Sequence, residues 1–458
     1  MQTHTKASLP GSRSTPHGSV LAGPFHSNTS KIPTESDVVV IGGGIAGVST
    51  AWFLARQGIS VTLCEKGEIA GESSSRAFGW ISELLLDPLK MELSSESKRL
   101  WSILQEECGE LGYRQNGLVY LAESMEDLEF YEHWLEVTKG TCDPGNELLS
   151  PKGVKQRFPG TDEKWLGGIY SPTDGGLEPT IATTAIAMSA QSMGAKIMTN
   201  CAVRTVDTQS GSVAGVHTEH GYIRTAQVLY AGNTWSRLFC GNLDIDVPQL
   251  YAIMTMARTG PLENGPLACG GTHPYAWRQR IDNAYVLGRE FDIRVPLTRA
   301  AFQQKSRFAA YRKENVNMQA KLSWGRDTLR DWLWPRSWSA KDITPFEKHR
   351  VLSPSIQKSV PQKALELNQI EFPEFKNTTI EEYWSGTLTL TPDNMPIASS
   401  IKSLPGFFLL TGASFGLTWG PALGKLMADL ITGDKTSIDP TPFRHERFFD
   451  GSELKVTW

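Results

Sequence analysis

The chain has 458 residues, 40% of them hydrophobic and 21% charged, with a formal net charge of −4. That is enough for two or three domains with a large core, and the acidic balance gives no reason to expect nucleic acid as a partner. No apolar run reaches the length of a membrane span. The six cysteines (Cys64, Cys108, Cys142, Cys201, Cys240, Cys269) form no C-x-x-C pair and no metal-ligand spacing. They argue against a disulfide framework and for a reducing, cytoplasmic setting with no bound metal.

Residues 1–35 are rich in Ser, Thr, Pro, Gly and His and carry no acid before Glu35. They lack the apolar core of a secretory signal and are arginine-poor for a transit peptide, so a disordered tail or interaction arm is expected. Residues 36–65, SDVVVIGGGIAGVSTAWFLARQGISVTLCE, then read as strand, tight turn, helix, strand and carboxylate. Gly42 allows the turn, Gly44 lets backbone approach a pyrophosphate, and Gly47 lets the helix pack closely. Glu65 follows about twenty residues on, where a carboxylate accepts ribose hydroxyls and repels a 2′-phosphate. An adenine dinucleotide without that phosphate is the expected ligand.

The loop at 71–80 offers Ser74, Ser75 and Arg76 to phosphate, or is a serine-rich surface loop. Helix, strand and helix are expected at 89–112, 113–121 and 124–138. A turn-rich stretch at 167–179 leads into a helix over 180–193 and a strand over 196–200. A β-meander over 202–225 and a buried strand from 226 follow, returning to the dinucleotide domain. Two aromatic-rich strands in 273–288 flank Asp282 and Asn283. Tyr275, Trp277 and Gln279 share one face of the first strand, Arg278 and Arg280 the other. Residues 298–350 hold twelve Lys/Arg against five Asp/Glu, with Trp324, Trp332, Trp334 and Trp338. This segment is either a core-facing aromatic stripe with a solvated charged face or a surface for a partner subunit or an acidic surface. An apolar strand at 407–411 enters GASFGLTWG, and Pro421 is expected to open a helix running to Ile431, with Thr418 as its cap.

Four stretches in order resemble the FAD-dependent D-amino-acid oxidase superfamily: the amino-terminal unit, DGGLEP with its helix, VLYAGNTWS, and WSGTLTLTPDNMP through TGASFGLTWGPALGKLMADLITG. The resemblance implies an α/β fold: a discontinuous Rossmann-type FAD domain with an α+β substrate domain on an antiparallel sheet. The expected segments are FAD domain 36–88, 167–245 and 381–458, the last with a C-terminal tail, and substrate domain 89–166 and 246–380. It implies hydride transfer from a carbon bearing nitrogen to flavin N5, giving an imine that hydrolyses. By position, Gly42, Gly44, Gly47 and Glu65 would hold the ADP half. Ser74, Ser75 and Arg76 would lie near pyrophosphate or flavin, and Val203 near adenine. Phe415, Gly416, Leu417 and Thr418 would meet the pyrimidine edge. Tyr275, Trp277 and Arg278 fall where the family builds its substrate wall, and His273 and Tyr275 are candidates for substrate contact.

Three departures qualify the likeness. Sarcosine-oxidase-like members attach flavin through a cysteine just before the T-P-D turn, where Gly386 is the nearest position here, and others through a histidine in the loop that 71–80 matches, which has none. Noncovalent FAD is therefore expected. The arginine that often binds a substrate carboxylate is replaced by Leu388, so Arg278, Arg280 or Arg289 takes the role or the substrate lacks that group. An amine or amino-acid oxidoreductase is the leading reading. The alternatives are a FAD subunit of a larger dehydrogenase, joined through 298–350 in a homo- or hetero-oligomer, and a non-catalytic flavin binder. The lack of a second G-x-G-x-x-G unit disfavours a pyridine-nucleotide reductase.

Overall fold

The computed structural model describes residues 25–27, 31–159, 161, 164–272, 275–289, 292–314 and 320–456. The expected N-terminal tail therefore lies mostly outside the described residues, as does His273.

Two sheets organise the molecule. The first has six strands in the order Ile397–Ser400, Phe407–Thr411, Gln227–Tyr230, Val38–Ile41, Val61–Cys64 and Lys196–Met198. All are parallel except the first, which is antiparallel to its neighbour. Val38–Ile41 sits centrally and is buried on both faces, which its β-branched run favours. The helices Ile45–Arg56, Pro179–Ser192 and Gly416–Thr432 pack on one face. The meander Val203–Gln209, Ser212–Thr218, Gly221–Arg224 joins the cluster on the other. Three stretches distant in sequence thus build one Rossmann-type layer.

The second sheet is large and mostly antiparallel, with Leu250–Thr259 paired to both Ile380–Leu390 and Tyr285–Gly288. Leu118–Ala122 runs parallel to Cys269–Gly271 and so joins the early chain to the late. Residues 167–171, placed by sequence with the dinucleotide segments, form a strand of this second sheet against Leu118–Ala122. Close approach explains it: a Cβ on Gly168 would lie 2.6 Å from the Tyr120 carbonyl oxygen. The return to the first sheet comes with Pro179–Ser192.

The C-terminal helix differs from its sequence reading. It starts at Gly416, five residues before Pro421, which lies inside it. Proline has no N–H to give the carbonyl four residues back. That carbonyl belongs to Leu417, and Trp101 Nε1 donates to it instead at 3.1 Å. Thr418 is consequently no cap: its hydroxyl donates to the Trp80 carbonyl. Gly433, in the left-handed region, ends the helix.

Candidate active site

One long cavity runs between the two sheets, and both glycine-rich helix starts open on it. At the first start, Gly42 has φ +119°, and a Cβ on Gly47 would lie 2.0 Å from the Gly42 carbonyl oxygen. No side chain other than hydrogen can occupy that position without moving the turn. Gly44 is the helix N-cap, with no side-chain cap of its own, and Ser74 Oγ accepts from Ile45 N at 2.9 Å. Glu65 spans the turn, accepting from Gly43 N and Gly67 N, each at 2.7 Å. Burial pushes its carboxyl above the usual range, against the pull of Lys66 and these two N–H groups.

The loop after Glu65 divides its hydroxyls. Ser73 and Ser74 line the cavity, whereas Ser75 turns away and donates to the Glu72 carbonyl. Arg76 lines the cavity while donating to the Leu352 carbonyl, so it spans 71–76 and the later chain. Val203 lines the same end. Asn233 and Thr387, which sequence reasoning missed, complete a polar collar. Asn233 Nδ2 donates to Ser73 Oγ (3.2 Å), and Thr387 Oγ1 lies 3.0 Å from Ser73 Oγ.

At the second start, Phe415, Gly416, Leu417 and Thr418 line the cavity. The helix has no side-chain cap there, a Cβ on Gly416 would meet nothing within 4 Å, and buried Ser414 Oγ has no partner. Two helix starts on one cavity, neither capped by its own N-cap side chain, fit a ligand with a diphosphate at one end and an electron-rich ring edge at the other.

Beyond the second start the cavity becomes apolar. Phe78, Trp80, Tyr120, Met254, Met256, Ile293, Leu388 and Leu390 line it. Strand alternation decides which residues reach it. Ala276 and Gly288, paired across the hairpin, line the cavity; Tyr275, Trp277 and Leu287 belong to the opposite face. Tyr275 is fully buried there, packed toward helix Ser359–Glu371, and burial raises its phenol pKa. It is therefore no substrate contact in this structure. Arg278 lies on the cavity side of the strand but is not among the lining residues. It donates through Nε to the Phe78 carbonyl (2.7 Å) and through Nη1 to Glu178 (3.0 Å). Arg280 also pairs with Glu178. Among the described residues the lining cations are Lys66, Arg76 and Arg289. Lys66 is held by Glu72 and two carbonyls, whereas Arg289 follows Gly288 at the apolar end, 3.4 Å from Asp292.

A discontinuous Rossmann layer, a covering antiparallel sheet and a cavity between them lined by both helix starts are the layout of a flavin-dependent oxidoreductase. A model of the FAD dependent oxidoreductase (DAO) family matches residues 37–430, and the chain belongs to that family. FAD is accordingly its cofactor. The chain is 30% identical over 427 residues to sarcosine oxidase subunit beta of Arthrobacter sp, covering 91% of each. It is 22% identical to the mitochondrial dimethylglycine dehydrogenase of Rattus norvegicus and spans 44% of that protein's length. The solved L-amino acid deaminase of Proteus myxofaciens, in complex with anthranilate, superposes with a TM-score of 0.89 at 32% identity, covering 93% of this chain and 97% of that one.

No helix among the described residues is long and apolar enough to cross a membrane, and these residues contain no group of three His, Cys, Asp or Glu able to hold a metal ion.

Proposed function

We propose that this chain oxidises the carbon–nitrogen bond of an amino acid or related amine. A hydride leaves the carbon, the nitrogen lone pair closes the C=N bond, and water splits the imine to a carbonyl compound and an amine or ammonia. Bound FAD supplies the two-electron acceptor. The observation that carries this reading is the apolar chamber continuous with the second helix start, with one guanidinium at its edge. The apolar walls exclude water and favour the neutral amine that the reaction needs. Arg289 takes the part left vacant by Leu388, offering a fork to a substrate carboxylate. The names of the relatives, drawn from N-methyl and L-amino acids, agree with a carboxylate-bearing substrate.

The flavin is held without a covalent bond. Gly386 stands nearest the attachment position, and a Cβ there would come within 2.9 Å of Arg76 Cβ. Acid precipitation should leave the pellet colourless.

An anaerobic panel of D- and L-amino acids, N-methyl amino acids and simple amines tests the reading. At least one amino-bearing compound should bleach the flavin, and an Arg289→Leu variant should raise half-saturation for carboxylate substrates about 10–100-fold. A panel that leaves the flavin oxidised throughout contradicts the proposal.

A further inference from the structure

The helix Arg326–Leu333 is built inside out. Its buried residues are Asp327, Thr328 and Asp331. Its solvent face carries Leu329 and Leu333, 56% and 73% exposed, with Trp332 beside them at helical spacing. Hydrogen bonds explain why it stays docked this way round. Asp331 accepts from Arg299 N (3.1 Å) and Arg336 Nη2 (2.9 Å). Asp327 accepts from Ser355 N (3.1 Å) and Arg330 Nη2 (2.9 Å), and Thr328 Oγ1 donates to the Ser323 carbonyl (3.1 Å).

The exposed apolar surface extends past the helix. Leu322, on the neighbouring strand Lys321–Ser323, is 71% exposed and Trp324 is 73% exposed. Phe302 packs edge-on to Trp332, their rings 6.1 Å apart. Water selects the opposite orientation for an amphipathic helix, so an apolar surface of this kind marks a contact site.

Charge identifies what it meets. Residues 298–336 hold nine Lys/Arg and three Asp/Glu, a net +6, in a chain whose total is −4. Two of the three acids, Asp327 and Asp331, are turned inward and hold Arg330 and Arg336, while Lys321 and Arg307 pair with Asp292 and Asp246; Lys305, Arg312, Lys313 and Arg326 stand outside these pairs. A second copy docked face to face would oppose like charges. These apolar side chains are exposed, and none of them lines the cavity described above. Exposed Leu and Trp on a segment rich in Arg and Lys is the side-chain set of a segment lying in a membrane interface. We propose that this face seats the protein on a lipid bilayer bearing anionic head groups. The leucines and tryptophans enter the interface, and the basic side chains pair with lipid phosphates.

Co-sedimentation of the flavin-loaded full chain with vesicles tests this directly. Vesicles of equal parts phosphatidylglycerol and phosphatidylcholine should bind it, with at least ~10-fold weaker partition onto pure phosphatidylcholine or in high salt. The double substitution Leu329→Glu and Leu333→Glu should lower partition by a similar factor, with flavin content and melting temperature unchanged. Should that pair disturb folding, Trp324→Ala with Leu333→Ala should still weaken binding by roughly 3–10-fold. Equal partition onto both vesicle types, or no effect of the substitutions, overturns the proposal. So does a concentration-dependent dimer in lipid-free buffer that the double glutamate variant abolishes, because the face would then belong to a second copy.

Discussion

The two glycine-lined helix starts do the same job by opposite means. At the first, the protein itself forbids a side chain: a Cβ on Gly47 would sit 2.0 Å from the Gly42 carbonyl oxygen, and backbone cannot yield as a side chain would. At the second, a Cβ on Gly416 meets nothing within 4 Å, so the space is left for something else. The first start is held by its own close-packed turn. The second is held from outside, by one face of helix Pro88–Cys108. Trp101 donates to the Leu417 carbonyl, Ser97 Oγ accepts from Ala422 N (3.1 Å), and Ser94 Oγ accepts from Trp419 Nε1 (3.0 Å). Lys90, fully buried, continues that face at the same helical spacing. A glycine in a nucleotide-binding turn therefore answers either to the fold or to the ligand, and substitution distinguishes the two.

The largest effect should come from Gly47→Ala, which should cost the fold on the order of 4 kcal/mol or more, read as loss of soluble, thermally cooperative protein. Wild-type stability there would show that the turn can shift and would break the comparison. Next is Lys90, whose pKa burial lowers to about 8, partly opposed by Asp87 and Asp393. Between that value and the ordinary 10.5 the unfolded chain binds a proton that the folded one does not. Stability should therefore rise with pH across this window. Lys90→Met should remove the rise and stabilise the protein at neutral pH by on the order of 3 kcal/mol, measured by denaturant titration at several pH values. Trp101→Phe leaves the Leu417 carbonyl buried without its donor and should cost about 2 kcal/mol in the same titration. The smallest effect on stability, within about 0.5 kcal/mol, belongs to Gly416→Ala. Its consequence should instead be roughly tenfold weaker FAD binding by fluorescence titration of the apoprotein. A Gly416→Ala protein that melts like Gly47→Ala would erase the contrast.

The first start was legible because its whole unit is local: strand, three glycines, helix, strand and acid within thirty residues. The second was legible in kind but displaced in position. Proline is commonest in a helix's first turn, and only a donor more than 300 residues away in sequence, Trp101, lets this helix begin earlier. The substrate wall was the least legible. Alternation says that Tyr275 and Trp277 share a face and Arg278 takes the other. Which face looks inward depends on helix Ser359–Glu371, packed on the opposite side by long-range contacts that no local pattern records. The basic Trp-rich segment divides between core and solvent. Trp334 packs against Trp235 in the core, their tilted rings 4.6 Å apart, while Trp324 stands in solvent. The network of Ser73, Asn233 and Thr387 gave no signal, since its members come from three distant stretches of ordinary polar residues.

Titration of the apoprotein with FAD, followed by visible absorbance and by competition with ADP, measures the two-ended grip most directly. One FAD should bind per chain with a perturbed flavin spectrum, and ADP should displace it because the first start holds that half alone. Protein that stays colourless with FAD present, or a bound flavin that ADP cannot compete away, would contradict the account.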